Sequence, residues 1–108
     1  MKRLAIGLIL VACNRGSAGA IKEESPGLAA RAKVDPAVAR RTALAKFPEG
    51  KIVKEEIEQE NGKLVYSFDV KNRAQPGVDE VLVNALDGSI VSVEHESAAK
   101  EAAEAKKE

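Results

Sequence analysis

Apolar and polar residues alternate through much of residues 51–96, a period that predicts β-strands. The clearest strand carries four apolar residues on one face: Leu64, Tyr66, Phe68 and Val70. Asn61-Gly62 separates it from the preceding strand-like run, and this pair is typical of a two-residue type I′ turn, because both turn residues need positive φ. We therefore expect a β-hairpin that places Ile57 opposite Tyr66 and Val53 opposite Val70.

A second hairpin is predicted from Val78 to Glu96. Its turn is a three-residue loop, Leu86-Asp87-Gly88, with Gly88 in the left-handed conformation. That loop would pair Val83 with Val91 and Val81 with Val93. Residues 72–77, with the sequence Asn-Arg-Ala-Gln-Pro-Gly, indicate a loop that joins the two hairpins without a tight turn.

Residues 35–47, upstream of the strands, have the pattern of a helix. Asp35 suits the N-cap and Pro36 the first helical position, while Pro48 and Gly50 end the helix. Its apolar residues are mostly small, which lets a helix lie close to a sheet. We expect Ala39 and Phe47 of this helix to pack against one face of the sheet, composed of Tyr66, Phe68, Val81, Val83, Val91 and Val93. The predicted fold class is α+β, with one N-terminal helix on a four-stranded antiparallel sheet of two hairpins.

The first 20 residues have the features of an export signal. Lys2 and Arg3 precede a short apolar segment, residues 4–12, which is well below the roughly 20 apolar residues that span a bilayer. Two cleavage sites are compatible with it. Residues 10–13, Leu-Val-Ala-Cys, resemble a bacterial lipobox, in which Cys13 would be lipidated, whereas Ala18-Gly19-Ala20 suits an ordinary signal peptidase. Both alternatives predict a mature protein outside the cytoplasm, in the periplasm or cell envelope.

The remaining ends of the chain lack an apolar period. Residues 21–33 contain Ser25-Pro26-Gly27 and are predicted to form a tether. Residues 97–108 form a charged tail in which Ala is the only apolar residue type. The predicted domain therefore covers residues 34–96.

Composition narrows the possible functions. The 108 residues include 17 basic and 17 acidic side chains, so net charge gives no argument for nucleic-acid binding. Arg40, Arg41 and Lys46 form a modest basic strip without aromatic neighbours, which is also not typical of a nucleic-acid surface. A single Cys and a single His allow neither an intramolecular disulfide nor a Cys/His zinc site.

The residues that most resemble a chemical site are acidic. Glu56, Glu58 and Glu60 lie two apart on one strand face, an arrangement more typical of solvated surface than of acid/base catalysis. His95 has glutamates on both sides, but neighbouring strand residues point to opposite faces, so the three should not converge on a metal ion. The sequence predicts no catalytic, cofactor or metal site, and lipidation of Cys13 is the one modification it suggests.

Several short motifs occur in an order that resembles the PepSY domain of bacterial secreted proteins and metalloprotease propeptides. A helix with Ala39 and Ala43 precedes the strands. Three short motifs, each of low specificity alone, follow it: Tyr66, Phe68 and Val70; residues 80–85, Glu-Val-Leu-Val-Asn-Ala; and Asp87, Gly88 and Ile90. Asn84 occupies a position where the family commonly has Asp, and Glu49 is inserted in the turn after the helix.

The resemblance implies a helix packed on an antiparallel sheet, half of a cystatin-like fold. It also implies a non-enzymatic protein that binds, inhibits or regulates a protease or another envelope protein, without a cofactor. The alternative is a structural or metal-scavenging envelope protein. The only membrane attachment that we expect is a lipid on Cys13.

Overall fold

The computed structural model describes residues 21–99 and shows an α+β fold. In chain order its elements are β1 (Lys22–Glu23), α1 (Leu28–Arg31), α2 (Pro36–Lys46), β2 (Lys51–Glu60), β3 (Lys63–Asn72), β4 (Gln75–Asn84) and β5 (Ile90–Glu96). The five strands form one sheet in chain order, and only the β1–β2 pair is parallel. The predicted fold class is confirmed, with one strand and one short helix more than expected.

The predicted helix is α2, and its ends are formed as the sequence indicates. The Asp35 side chain accepts a hydrogen bond from the Ala37 amide at 2.9 Å, and Pro36 occupies the first helical position. Ala39 and Ala43 are completely buried. With only a methyl group at these two positions, the helix lies close to β3 and β4 and covers one face of the sheet.

The first hairpin follows the prediction near its turn and departs from it at the far end. Asn61 and Gly62 both have positive φ, 51° and 80°, and Ile57 lies opposite Tyr66. The predicted pairing of Val53 with Val70 is wrong, since a β-bulge between Ile52 and Lys54 brings Ile52 opposite Val70. Val53 is the extra residue of the bulge and is 51% exposed.

The expected loop between the hairpins is also wrong, because residues 72–77 make a tight turn. Asn72 lies opposite Gln75, and the Asn72 side-chain oxygen accepts a hydrogen bond from the Ala74 amide at 2.9 Å. Arg73 and Ala74 alone connect the strands, and Gln75 already begins β4. Asx-type capping of this kind stabilises a turn without glycine. Strands β2 to β5 are therefore a continuous meander.

The second hairpin has a longer loop than predicted. Val81 lies opposite Val93 as expected and Gly88 has a φ of 81°, but Val83 pairs with Ile90 and not with Val91. The loop contains residues 85–89, and the Asn84 side-chain oxygen accepts hydrogen bonds from the amides of Leu86 and Asp87 at 2.7 and 3.1 Å. The register shift at Val91 follows from this longer loop.

The core between α2 and the sheet contains most of the expected side chains. Tyr66, Phe68, Val81 and Val83 are buried there with Ala39, and Phe47 packs against them at the end of the helix. Two expected members are missing: Val93 is 41% exposed, because it lies on the edge strand, and Val91 is displaced by the register shift.

Residues 21–33, expected to be a tether, are folded against the domain. Lys22 and Glu23 pair with Glu56 and Ile57 of β2, and Leu28 is buried in the core. The Tyr66 hydroxyl donates a hydrogen bond of 2.6 Å to the Val34 carbonyl, which holds the end of this segment over the sheet. The sequence has no periodicity here and gave no sign of this packing, in which Leu28 is buried and Ile21 and Ala32 pack partly buried against the core.

Candidate docking surface

One edge of the sheet is partly covered by the chain itself. Beyond the β1 pairing, the Glu24 amide donates to the Ile57 carbonyl at 2.9 Å, and the Glu24 carboxylate accepts from the Gln59 amide at 3.0 Å. These contacts satisfy backbone groups in the middle of β2. An extended segment from another protein would have to displace them to bind there.

The opposite edge is β5, a strand of seven residues. Within residues 21–99, no element pairs with its outer side. At about 3.3 Å per residue the strand offers roughly 23 Å of backbone. The exposed side chain of Val93 lies along it and adds an apolar contact point. Edge strands with unpaired backbone groups are templates for strand addition.

His95 lies near the end of this edge strand, and its partner is on the neighbouring strand. His95 Nδ1 is 3.0 Å from a carboxylate oxygen of Asp79, a residue only 7% exposed. Glu94 lies opposite Glu80 and therefore on the other face of the sheet. The sequence missed the Asp79 contact because it depends on the β4–β5 register. Among residues 21–99, no three His, Cys, Asp or Glu side chains are placed to hold a metal ion, so no observation favours the metal-scavenging alternative.

The face of the sheet away from α2, which we call the open face, carries the acidic row of Glu56, Glu58 and Glu60. Burial, followed by repulsion from Glu56, Glu60, Glu80 and Glu24, raises the pKa of Glu58 to about 7. Burial also raises the pKa of Glu80, although its carboxylate accepts a 3.2 Å hydrogen bond from the Ser67 hydroxyl. The sequence predicted a solvated row, whereas Glu56 and Glu58 are half-buried.

The apolar residues of this open face are also largely buried. Val65, Val78 and Leu82 are between 0 and 7% exposed, yet none belongs to the core cluster under α2. A groove of about 270 Å³ runs beside Leu82 and is lined by Val91, Glu60 and Glu94. The open face is therefore a mixed apolar and acidic surface.

The expected basic strip on the helix is not a continuous surface. Arg40 makes a bidentate pair with Glu55 of β2, with its Nε at 2.8 and 3.0 Å from the two carboxylate oxygens and Nη2 at 2.7 Å from one of them. The hydrogen bond to Glu55 raises the pKa of Arg40. This pair ties α2 to the sheet, leaving Arg41 and Lys46 as isolated exposed cations.

The proposed export signal and Cys13 lie outside the described residues, as do residues 100–108 of the tail. Within the described part, no helix has the length and hydrophobicity needed to cross a bilayer.

The fold defines the class of protein: a small α+β domain with one helix on one face of an antiparallel meander. The chain belongs to the PepSY family, since the family model described as "Peptidase propeptide and YPEB domain" matches residues 33–94. The resemblance stated from residues 34–96 is thereby confirmed. No match was found among curated proteins or among solved structures. PepSY domains are generally non-catalytic propeptide or regulatory modules, associated with peptidases and typically extracellular or periplasmic.

Proposed function

We propose that this protein is an exported, non-enzymatic PepSY-domain protein that binds a protease or another cell-envelope protein, and that the partner adds a strand at the outer edge of β5. The observation that carries this proposal is the asymmetry of the sheet: β1 covers part of one edge, and within residues 21–99 nothing pairs with the other. Family membership supports a peptidase as the partner.

Strand addition suits this surface because backbone hydrogen bonds supply most of the affinity. The outer backbone groups of β5 would accept an extended segment of the partner, with Val93 as an adjacent apolar contact. Few side chains would read the partner's sequence. We therefore expect modest affinity and broad tolerance to substitution of exposed residues.

Export is the second part of the proposal, and it rests on the sequence. A basic start and a short apolar segment in residues 1–12 favour a signal, with cleavage before Cys13 or after Ala20. We favour the lipidated form, because the only cysteine of the chain lies at the one position that lipidation would use. The protein would then be held at the envelope by its lipid.

The binding mode is tested by proline substitutions in β5. Ser92 and Val93 are adjacent in a regular part of the strand, so one of them directs its N–H toward β4 and the other directs it outward. Proline at the outward position removes one donor from the free edge and leaves the ladder to β4 intact. Ser92→Ala and Val93→Ala are the matched controls, because each changes the side chain and keeps the N–H.

Each variant is checked for folding by circular dichroism and then assayed for capture and inhibition of a secreted thermolysin-like metalloprotease. We expect the folded proline variant to lose both activities and Ser92→Ala to keep them. Val93→Ala should weaken capture only slightly, because it removes the apolar contact and keeps the N–H. Unchanged inhibition by the folded proline variant would rule out strand addition at β5. A wild-type protein that neither captures nor inhibits the protease would contradict the protease form of the proposal.

A further inference from the structure

The two faces of β5 differ in chemistry, and both extend to the outer edge of the sheet. The register with β4 places Ser92 and Glu94 on the open face, with Glu94 directly opposite Glu80. Val93 lies opposite Val81 and therefore on the face that carries α2. A strand added to β5 would continue both faces, so its alternate side chains would meet an acidic surface on one side and an apolar residue on the other.

The open face beside this edge is acidic. The groove of about 270 Å³ that runs next to Leu82 is lined by three carboxylates, those of Glu60, Glu80 and Glu94, and by one ammonium, that of Lys63. Within residues 21–99, none of the three carboxylates forms an ion pair. Burial raises the pKa of Glu80, and repulsion from the other two carboxylates adds to the rise. Cations supplied by a partner would offset this repulsion.

The groove also offers a surface for the aliphatic part of a basic side chain. Val91, the extra residue of the β5 bulge, lines it together with Leu82 and Ser92. Lysine and arginine lay their aliphatic stems along apolar surface while the charged end stays in water. A lysine opposite Ser92 would pass this short side chain and lie over Leu82. A lysine opposite Glu94 would form a cross-strand ion pair, which stabilises a sheet.

The other face of the same edge favours an apolar side chain. Helix α2 lies over β3 and β4, and Val93 of β5 is 41% exposed although its partner Val81 is completely buried. An apolar residue of the added strand, directly opposite Val93, would take this side chain out of water. A polar residue in that position would gain no such contact.

We propose that the partner segment recognised at β5 alternates basic and apolar residues. Its lysines or arginines face Glu94 and the groove, and its apolar side chains face Val93. This inference rests on the strand addition proposed above and names the class of segment that is added. Backbone hydrogen bonds accept any extended sequence, so the preference comes from the two faces. An acidic segment would place a like charge opposite Glu94, which destabilises a sheet.

Three seven-residue peptides, matched to the length of β5, test this preference. The first is Thr-Lys-Val-Lys-Val-Lys-Thr, the second has Gln for each Lys, and the third has Ser for each Val. Binding is measured from the amide chemical shifts of the ¹⁵N-labelled protein at low ionic strength, because exposed ion pairs are screened by salt. We expect the first peptide to shift the amides of residues 90–96. It should bind about tenfold more tightly than the second and roughly threefold more tightly than the third.

Glu94→Gln should weaken binding of the first peptide roughly 2- to 5-fold and leave binding of the glutamine peptide unchanged. Glu49→Gln is the matched control, because it removes one exposed carboxylate that does not line the groove. An equal effect of the two substitutions, or equal binding of the first and third peptides, would overturn the proposal as charge attraction without strand-specific contacts.

The peptides also separate this inference from the proposed function. If the glutamine peptide shifts the amides of residues 90–96 and binds as tightly as the lysine peptide, strand addition stands and the preference for basic residues is wrong. If no peptide shifts these amides, strand addition at β5 fails, and the preference fails with it.

Discussion

Phe68 is one of the largest fully buried side chains of this domain. It is completely buried in the centre of β3, opposite Val81, and its ring packs against that of Tyr66 with the centroids 6.1 Å apart. Phe68→Ala removes the ring and leaves a cavity under α2, at a cost of roughly 3–5 kcal/mol. A folded unit of about 80 residues has roughly 4–12 kcal/mol of unfolding free energy. The substitution should therefore remove between about a quarter and all of the stability.

Urea unfolding followed by circular dichroism measures this loss as a shift of the midpoint with an unchanged slope. Val53→Ala is the control, since Val53 is also an apolar residue of the sheet but is the half-exposed extra residue of a bulge. We expect it to change the unfolding free energy by less than about 0.5 kcal/mol. Equal midpoints for Phe68→Ala and wild type, or a large loss for Val53→Ala, would show that the register of β2 and β3 is not the one described.

Three further predictions concern the open face, a turn and the leader. Because the pKa of Glu58 is raised from 4.5 to about 7, the folded state binds more protons than the unfolded state between these values, so stability should fall as the pH rises through this window. Urea midpoints at pH 5 and pH 8 should show this fall in wild type and a smaller one in Glu58→Gln. An equal fall in the two proteins would refute the assignment of this pH dependence to Glu58. Asn84→Ala should cost about 1 kcal/mol by removing the acceptor for Leu86 and Asp87, whereas Asn84→Asp should retain the wild-type midpoint because a carboxylate accepts the same bonds. Cys13→Ala should move the mature protein from the detergent phase to the aqueous phase, and a wild-type intact mass that starts at Ile21 without lipid would contradict lipidation.

Local signals in the sequence were sufficient for the main elements. The Asp35-Pro36 start of α2, the Asn61-Gly62 turn and the strand β3 are indicated by residues close together in the chain, and all three agree with the structure. Residues 64–68 of β3 are nevertheless buried on both faces and not on one. The pairings next to these signals, Ile57 with Tyr66 and Val81 with Val93, were also correct. Each is fixed by the twofold period of side chains along a strand together with the position of a turn.

The features that place the candidate surfaces are those that a twofold period cannot predict. A bulge adds one residue to one strand, and whether that extra residue is tolerated depends on the side chains of the partner strand. Val53 and Val91 are such extra residues, and in the sequence they cannot be distinguished from ordinary strand residues. Residues 21–33 cover part of the edge of β2 through backbone hydrogen bonds. Such bonds do not require a pattern of side chains, so the sequence does not reveal them. The exposed edge at β5 therefore follows from strand order and edge coverage. A substitution at Gly77, where a Cβ would clash with the Glu96 carbonyl oxygen, should weaken capture at this edge without changing a side chain of β5.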